Sequence, residues 1–281
     1  IMREVPQPTF ERDVKQLVKA YEQALKDVQA ELNALFLTDF ERAQIIATER
    51  NIQSILSDLA QYGDEWATAV ISDVALEGVA ATMYTLHLTD TIADARKIAK
   101  FSGVNRRLVD AMIADTQADL LAMTQNVERQ AKLAIRKAVA EATRYNLTRG
   151  VNATQNMSRE IKKRITNATD VAIIDARGRK WSVKAYAEML APTKAMQAHK
   201  EASINEALAE GSLYGVISRH NAKDKCKDYE GKIVKLSPNA TGDYPYIEDL
   251  PRNEIFHPRC KHVVTPIRRL DRLPDDLKEL N

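Results

Sequence analysis

Residues 105–148 read NRRLVDAMIADTQADLLAMTQNVERQAKLAIRKAVAEATRYNLT. Leu108, Met112, Leu120, Met123, Val127, Ala131, Ile135 and Val139 recur at multiples of three or four residues, which gathers them on one face of an α-helix. Charged residues fill the positions between them. No proline occurs between residues 9 and 191, so nothing in that span forces a helix to stop. This stretch sets the fold class as mainly α.

Working toward the N-terminus, Val14, Leu17, Val18, Tyr21, Leu25, Val28, Leu32 and Leu35 predict a first helix over 10–37. Thr38 and Glu41 have the spacing of a capping box for a second helix, which runs to about Gln61. Gly63 suits the left-handed position that ends a helix. A third helix is expected over 64–87, with Trp66, Val70, Val74 and Met83 inward. A short one follows from Thr89 or Asp90 to Lys100, and Gly103 breaks the pattern. Beyond the long stretch, Gly150 closes the helix, and Asn152 with Gln155 forms a second cap pair for a helix to about Asn167. The expected architecture is a body of long helical hairpins over residues 1–169, acidic at first and basic from about 129.

The character changes near residue 170. Val171–Asp175 and Lys180–Val183 read as two short strands around an Ala176–Arg179 turn. Ser182 is placed to cap a helix carrying Tyr186, Met189 and Leu190, with helix resuming after Pro192 up to Gly211. Leu213–Ser218, Lys232–Leu236 and Val263–Ile267 read as strands, and the proline-rich 237–259 as loop. A small C-terminal α+β module over 170–267 is therefore expected, followed by a charged, mobile tail over 268–281.

Hydrophobic residues make up 44% of the chain, enough for a packed core, and no apolar run approaches the roughly 20 residues a membrane helix needs. No membrane association is expected. Ile1–Phe10 carries Arg3, Glu4 and two prolines and does not read as a secretion signal. The Asn-x-Thr triplets at Asn146, Asn152, Asn167 and Asn239 are accordingly read as caps and turns. Two cysteines make no disulfide scaffold, so synthesis in a reducing cytoplasm is expected. The net charge of +2 conceals an asymmetry. Residues 1–128 hold 12 Lys and Arg against 20 Asp and Glu, whereas residues 129–200 hold 16 against 5. Such a division speaks to partners rather than to fold.

Both cysteines and three of the five histidines fall within 43 residues: His220, Cys226, His257, Cys260 and His262. Thiolate and imidazole together are the donor set of tetrahedral zinc. Cys260 and His262 share a face if that segment is extended, and His257 can converge with Cys260 across the Pro258 turn. A structural zinc is the reading that uses all five. Buried thiols without metal, a turn-bonding His257 and a Cys226–Cys260 disulfide are the alternatives. A metal-dependent nuclease would need a free base and further metal ligands, for which spare groups are too few. A cysteine hydrolase could be assembled from Cys226, His257 and Asp224, but no spacing selects them. No Walker-type loop, dinucleotide-binding glycine motif or His-Glu-x-x-His occurs. The protein is not expected to be an enzyme.

Arg129, Lys132, Arg136, Lys137 and Arg144, then Arg149, Arg159, Lys162, Lys163 and Arg164, form the basic belt. On helices these spacings can line one surface that tracks a phosphate backbone. A solvated face, or a surface that meets the chain's own acidic half, fits equally. Aromatic residues are few there, so single-strand stacking is not indicated.

Three blocks carry a resemblance. Ile174-Asp175-Ala176-Arg177-Gly178-Arg179-Lys180-Trp181-Ser182 with Tyr186-Ala187-Glu188-Met189 is the first. Val216-Ile217-Ser218-Arg219-His220 followed by Cys226-Lys227-Asp228-Tyr229-Glu230-Gly231-Lys232-Ile233 is the second, and Ile255-Phe256-His257-Pro258-Arg259-Cys260-Lys261-His262 the third. Over about residues 170–267 the chain resembles the phage minor capsid proteins of the second type, a group similar to the F head-morphogenesis protein of phage Mu. The resemblance implies a virion structural protein inside the head near the portal, made in the host cytoplasm. It implies the portal and major capsid proteins as partners, packaged double-stranded DNA as a further one, and help with head assembly, packaging or DNA delivery. Where relatives often carry a Cys-x-x-Cys, this chain has Lys223 and only Cys226, so His220 would have to make up the zinc set. A DNA-binding accessory protein and a metal-dependent nuclease or toxin-like effector are the rival readings.

Overall fold

The computed structural model describes residues 2–34, 42–149, 173–174, 178–278 and 280. Four long helices dominate: α1 (Glu11–Ala34), α2 (Arg42–Thr85), α4 (Gly103–Arg149) and α5 (Val183–Ala209). Two short ones, α3 (Ile92–Ile98) and α6 (Asp275–Lys278), complete the α-helices among the described residues. The strands are β1 (Ile173–Ile174), β2 (Lys180–Trp181), β3 (Tyr214–Ile217), β4 (Ile233–Lys235) and β5 (Val264–Ile267). The protein is thus mainly α with a small C-terminal strand region, as the helical periodicity predicts. The Thr38–Glu41 and Asn152–Gln155 cap pairs, Gly150 and the helix to Asn167 lie outside the described residues.

Two predicted breaks are not breaks. Gly63 lies inside α2, which joins the expected second and third helices. Its stripe of Ile52, Leu56, Leu59, Trp66 and Val70 is buried on both sides of the glycine, so stopping there would expose apolar surface. Pro192 likewise lies inside α5. A proline in a helix interior costs about 3 kcal/mol. Here Leu190, Ala191, Ala195 and Met196 are all buried around it. The Thr193 hydroxyl also donates to the Met189 carbonyl (2.6 Å) one turn back.

Other ends follow local chemistry. Thr91 caps α3 by accepting from the Asp94 N–H (3.1 Å). Ser102 caps α4 by accepting from the Asn105 N–H (3.1 Å), which makes Gly103 a helix start. Ser182 caps α5 through the Ala185 N–H (3.2 Å), as its sequence position predicts. At the other end of α5, Gly211 has φ +75°. Its N–H meets the Leu208 carbonyl (3.0 Å) and that of Ser212 meets Ala207 (2.8 Å), a Schellman closure.

The chain divides into two compact units. One comprises Asp13–Trp66 and Thr116–Glu188. Leu17, Tyr21, Val28 and Leu32 of α1 are buried there, as are Leu120, Met123 and Ile135 of α4. The Tyr21 hydroxyl donates to the Leu120 carbonyl (3.2 Å), and Trp66 Nε1 donates to the Asp13 carbonyl (2.9 Å). Of the predicted pair of strands, β1 and β2 lie antiparallel with Ile173 opposite Trp181, while residues 175–177 of the expected turn lie outside the described residues.

The other unit comprises Ile1–Arg12, Ala67–Asp115 and Met189–Asn281. Ile71, Val79, Val109, Met112, Ala198 and Ala202 join α2, α4 and α5 in one core. The sheet order is β4-β3-β5, all antiparallel, with Val216 opposite Ile233 and Thr265. Pro266 lies on edge strand β5, where the missing N–H breaks no ladder. The expected mobile tail is packed instead. Leu273 and Leu277 are buried with Val216, Ile233 and Ile267 beneath the sheet.

Candidate metal centre

The sheet and the loops after α5 enclose an apolar core that includes Ile204, Ile217, Val234, Ile247, Ile255 and both cysteines. Cys226 sits in a 3-10 turn, Lys225–Tyr229, that Asp224 starts by accepting from the Cys226 N–H (3.1 Å). His257 and Cys260 come from a tight loop in which Phe256 (φ +56°) and Arg259 (φ +67°) take left-handed backbone conformations. Non-glycine residues adopt that region only where the surroundings enforce it. The Cys260 N–H closes the loop on the His257 carbonyl (2.9 Å), and the Arg259 N–H donates to Thr193 Oγ1 (3.1 Å), tying it to α5. His262 is two residues before β5 and is 2% exposed.

These segments bring Cys226, Cys260 and His262 into one group and set His257 beside Cys226. Cys226 Sγ lies 3.7 Å from Cys260 Sγ and 3.1 Å from His257 Nε2, and Cys260 Sγ lies 3.2 Å from His262 Nδ1. Both cysteines are free and buried. Two donor groups share Cys226, one with Cys260 and His262 and one with Asp224 and His257. His220 stands one step outside. Its Nδ1 is 4.0 Å from Glu230 Oε1, and its ring lies 4.0 Å from that of His262.

The hydrogen bonds fix which nitrogen of each imidazole faces the sulfurs. His262 Nε2 lies 3.3 Å from Glu230 Oε1, and a carboxylate can only accept, so Nε2 carries the proton and Nδ1 turns its lone pair to Cys260. His257 Nδ1 donates to the Pro258 carbonyl (2.8 Å), so in the neutral ring the lone pair is on Nε2. That nitrogen meets Cys226 Sγ at 3.1 Å and Asp224 Oδ2 at 3.3 Å.

Electrostatics agree with a neutral, donor-rich site. Burial, and next the neighbouring His220, push the His262 pKa down. Burial, then the adjacent Cys260, push the Cys226 thiol up. Burial opposes ionisation of Glu230, yet the N–H groups of His220 (2.9 Å) and Ala222 (3.0 Å) hold its carboxyl below the usual range. Glu230 thus binds one loop and one histidine. Its position inside the Tyr229-Glu230-Gly231 block gives no periodic signal, which is why sequence reading does not select it.

The donor set fits zinc. Two sulfurs each about 2.3 Å from a tetrahedral ion lie about 3.8 Å apart, and a sulfur and an imidazole nitrogen about 3.5 Å apart. The sulfur–sulfur distance here is 3.7 Å, and the sulfur–nitrogen distances of 3.1 and 3.2 Å are a few tenths shorter.

The basic belt is partly described. Arg129, Arg136, Lys137 and Arg144 are exposed along α4. Lys132 pairs with Glu128 (2.6 Å), and Arg129 donates to Asn126. Arg159, Lys162, Lys163 and Arg164, and the side chain of Arg149, lie outside the described residues. Among the described residues no helix is long and apolar enough to cross a membrane.

A family model described as "Phage minor capsid protein 2" matches residues 40–281. No curated protein and no solved structure matches the chain.

Proposed function

The chain belongs to the phage minor capsid protein 2 family, a family of phage structural proteins, and on that premise we propose that it works inside the head beside the portal, assisting assembly and DNA packaging or delivery. The family match over most of the chain is the observation that carries this reading. Helices of 44 and 47 residues, rich in charged faces, support a structural rather than a compact catalytic role. The portal and major capsid proteins are the proposed protein partners. We assign a structural role rather than catalysis, which the match to a family of phage structural proteins supports.

The test is an asymmetric reconstruction of the portal vertex, with protease treatment of intact and opened virions. Low-copy density at the portal and protection until the head is opened are expected. Absence from purified virions, or digestion from intact ones, overturns the proposal.

A second reading is that the protein also holds packaged double-stranded DNA. Arg136, Lys137 and Arg144, exposed within little more than two turns of α4, favour it. Backbone binding of this kind weakens steeply with salt. Mobility shift of duplex DNA at two salt concentrations should show salt-sensitive binding that Arg136→Glu with Lys137→Glu reduces at least several-fold. No shift at low salt would make the belt an assembly surface.

A further inference from the structure

We infer that the C-terminal region is built around one structural zinc ion, held by Cys226 Sγ, Cys260 Sγ, His262 Nδ1 and His257 Nε2. Three observations converge on it. The sulfur–sulfur distance of 3.7 Å matches the edge of a zinc tetrahedron, and both cysteines are free. Each imidazole has its outer nitrogen bonded to an acceptor, Glu230 for His262 and the Pro258 carbonyl for His257, so both lone pairs turn toward the thiols. Outer acceptors of this kind orient metal-bound histidines. Finally, His257 Nε2 lies 3.1 Å from Cys226 Sγ and 3.3 Å from Asp224 Oδ2, so the ring already presents that nitrogen to a thiol.

Of the five candidates by sequence, His220 is the one left out: its ring lies tilted against that of His262 and its Nδ1 is 4.0 Å from Glu230. Cys226, Cys260 and His262 form one group, and His257, which touches Cys226, completes the set by turning toward them as the ion binds. On binding, Cys226 and Cys260 lose their thiol protons to solvent as two sulfur–zinc bonds form, and the two thiolates balance the charge of the ion. Four protein ligands leave no position for a reacting water, which makes the ion structural. It adds a tie between the turn after β3 and the loop before β5, which also meet through a small apolar core and through the Glu230–His262 and Tyr229–Glu254 contacts. The inference rests on side-chain geometry and is independent of where in the virion the protein acts.

The full chain, purified under reducing conditions, is analysed for metal and titrated with Co2+ after chelation. About one zinc per chain is expected, and cobalt should give the intense visible bands of a tetrahedral thiolate site, bleached by added Zn2+. Cys260→Ser should lose the sulfur-to-cobalt absorption and His257→Ala should bind Co2+ at least tenfold more weakly, whereas His220→Ala should leave both unchanged. The wild-type titration needs no variant to fold. Absence of cobalt bands from the reduced wild-type chain, a Cys226–Cys260 disulfide in metal-free purified protein, or loss of the bands in His220→Ala overturns the inference.

Discussion

A Cβ built on Gly78 would stand 2.4 Å from the carbonyl oxygen of His199. α2 and α5 touch there backbone to backbone. Ser203 Oγ donates to the Gly78 carbonyl (3.0 Å) and Thr82 Oγ1 to the Ser203 carbonyl (3.1 Å), so hydrogen bonds hold the crossing closed. Neither helix can move away without breaking them. Gly78→Ala should therefore destabilise the protein by about 2–3 kcal/mol, read as a lowered midpoint in urea unfolding.

Gly63, on the same helix, should behave in the opposite way. Its added Cβ would meet Leu120 Cδ1 at 3.4 Å and the Tyr21 hydroxyl at 3.5 Å, which is ordinary contact. Its backbone is not left-handed. Gly63→Ala should stabilise by about 0.5–1 kcal/mol through helix propensity. An unchanged or lower unfolding midpoint would show that the α1–α4 packing around Gly63 is tighter than these distances imply.

His199 is fully buried, and neither ring nitrogen has a hydrogen-bond partner. Burial pushes its pKa down to about 4. The unfolded chain, with a pKa of about 6.5, takes up a proton that the folded chain refuses. Stability is therefore unaffected above about pH 6.5 and falls as pH drops toward 4, by up to about 3 kcal/mol over that window. His262 shifts in the same direction, so the contribution of His199 is read as the difference between wild type and His199→Leu across pH 4–7. Parallel pH profiles for the two proteins would contradict the burial argument.

Leu277 is 5% exposed and packs with Val216, Ile233, Ile267 and Leu273. Leu277→Ala should cost about 2–3 kcal/mol. Its neighbour Asp276 pairs with Arg219 at 2.7 Å on the surface, with 62% and 39% of the side chains exposed. Asp276→Ala should change stability by no more than about 0.5 kcal/mol. Hydrogen exchange at Leu277, protected in wild type and fast in Leu277→Ala, gives a local check. Fast exchange in wild type would return the tail to a mobile segment.

Much of the fold is written in local patterns. The three- and four-residue spacing of Leu108 through Val139 determines α4, and Ser182 determines where α5 begins, because periodicity and capping involve residues a turn or two apart. The strands at 214–217, 233–235 and 264–267 fall inside the short β-branched runs that predict them. The five residues of the Cys/His cluster are likewise legible, since thiols and imidazoles are rare elsewhere in the chain. Tertiary structure decided the rest. Gly63 and Pro192 look like stops by propensity, yet burial on both sides carries their helices through. The tail looks mobile by charge, yet Leu273 and Leu277 find an apolar face that only the assembled sheet provides. Within the cluster, the approach of His257 to Cys226 and of Glu230 to His262 joins residues 31 and 32 positions apart. No spacing rule reaches that far, because the loops between them take their course from packing and from strained backbone at Phe256 and Arg259 rather than from a repeating period.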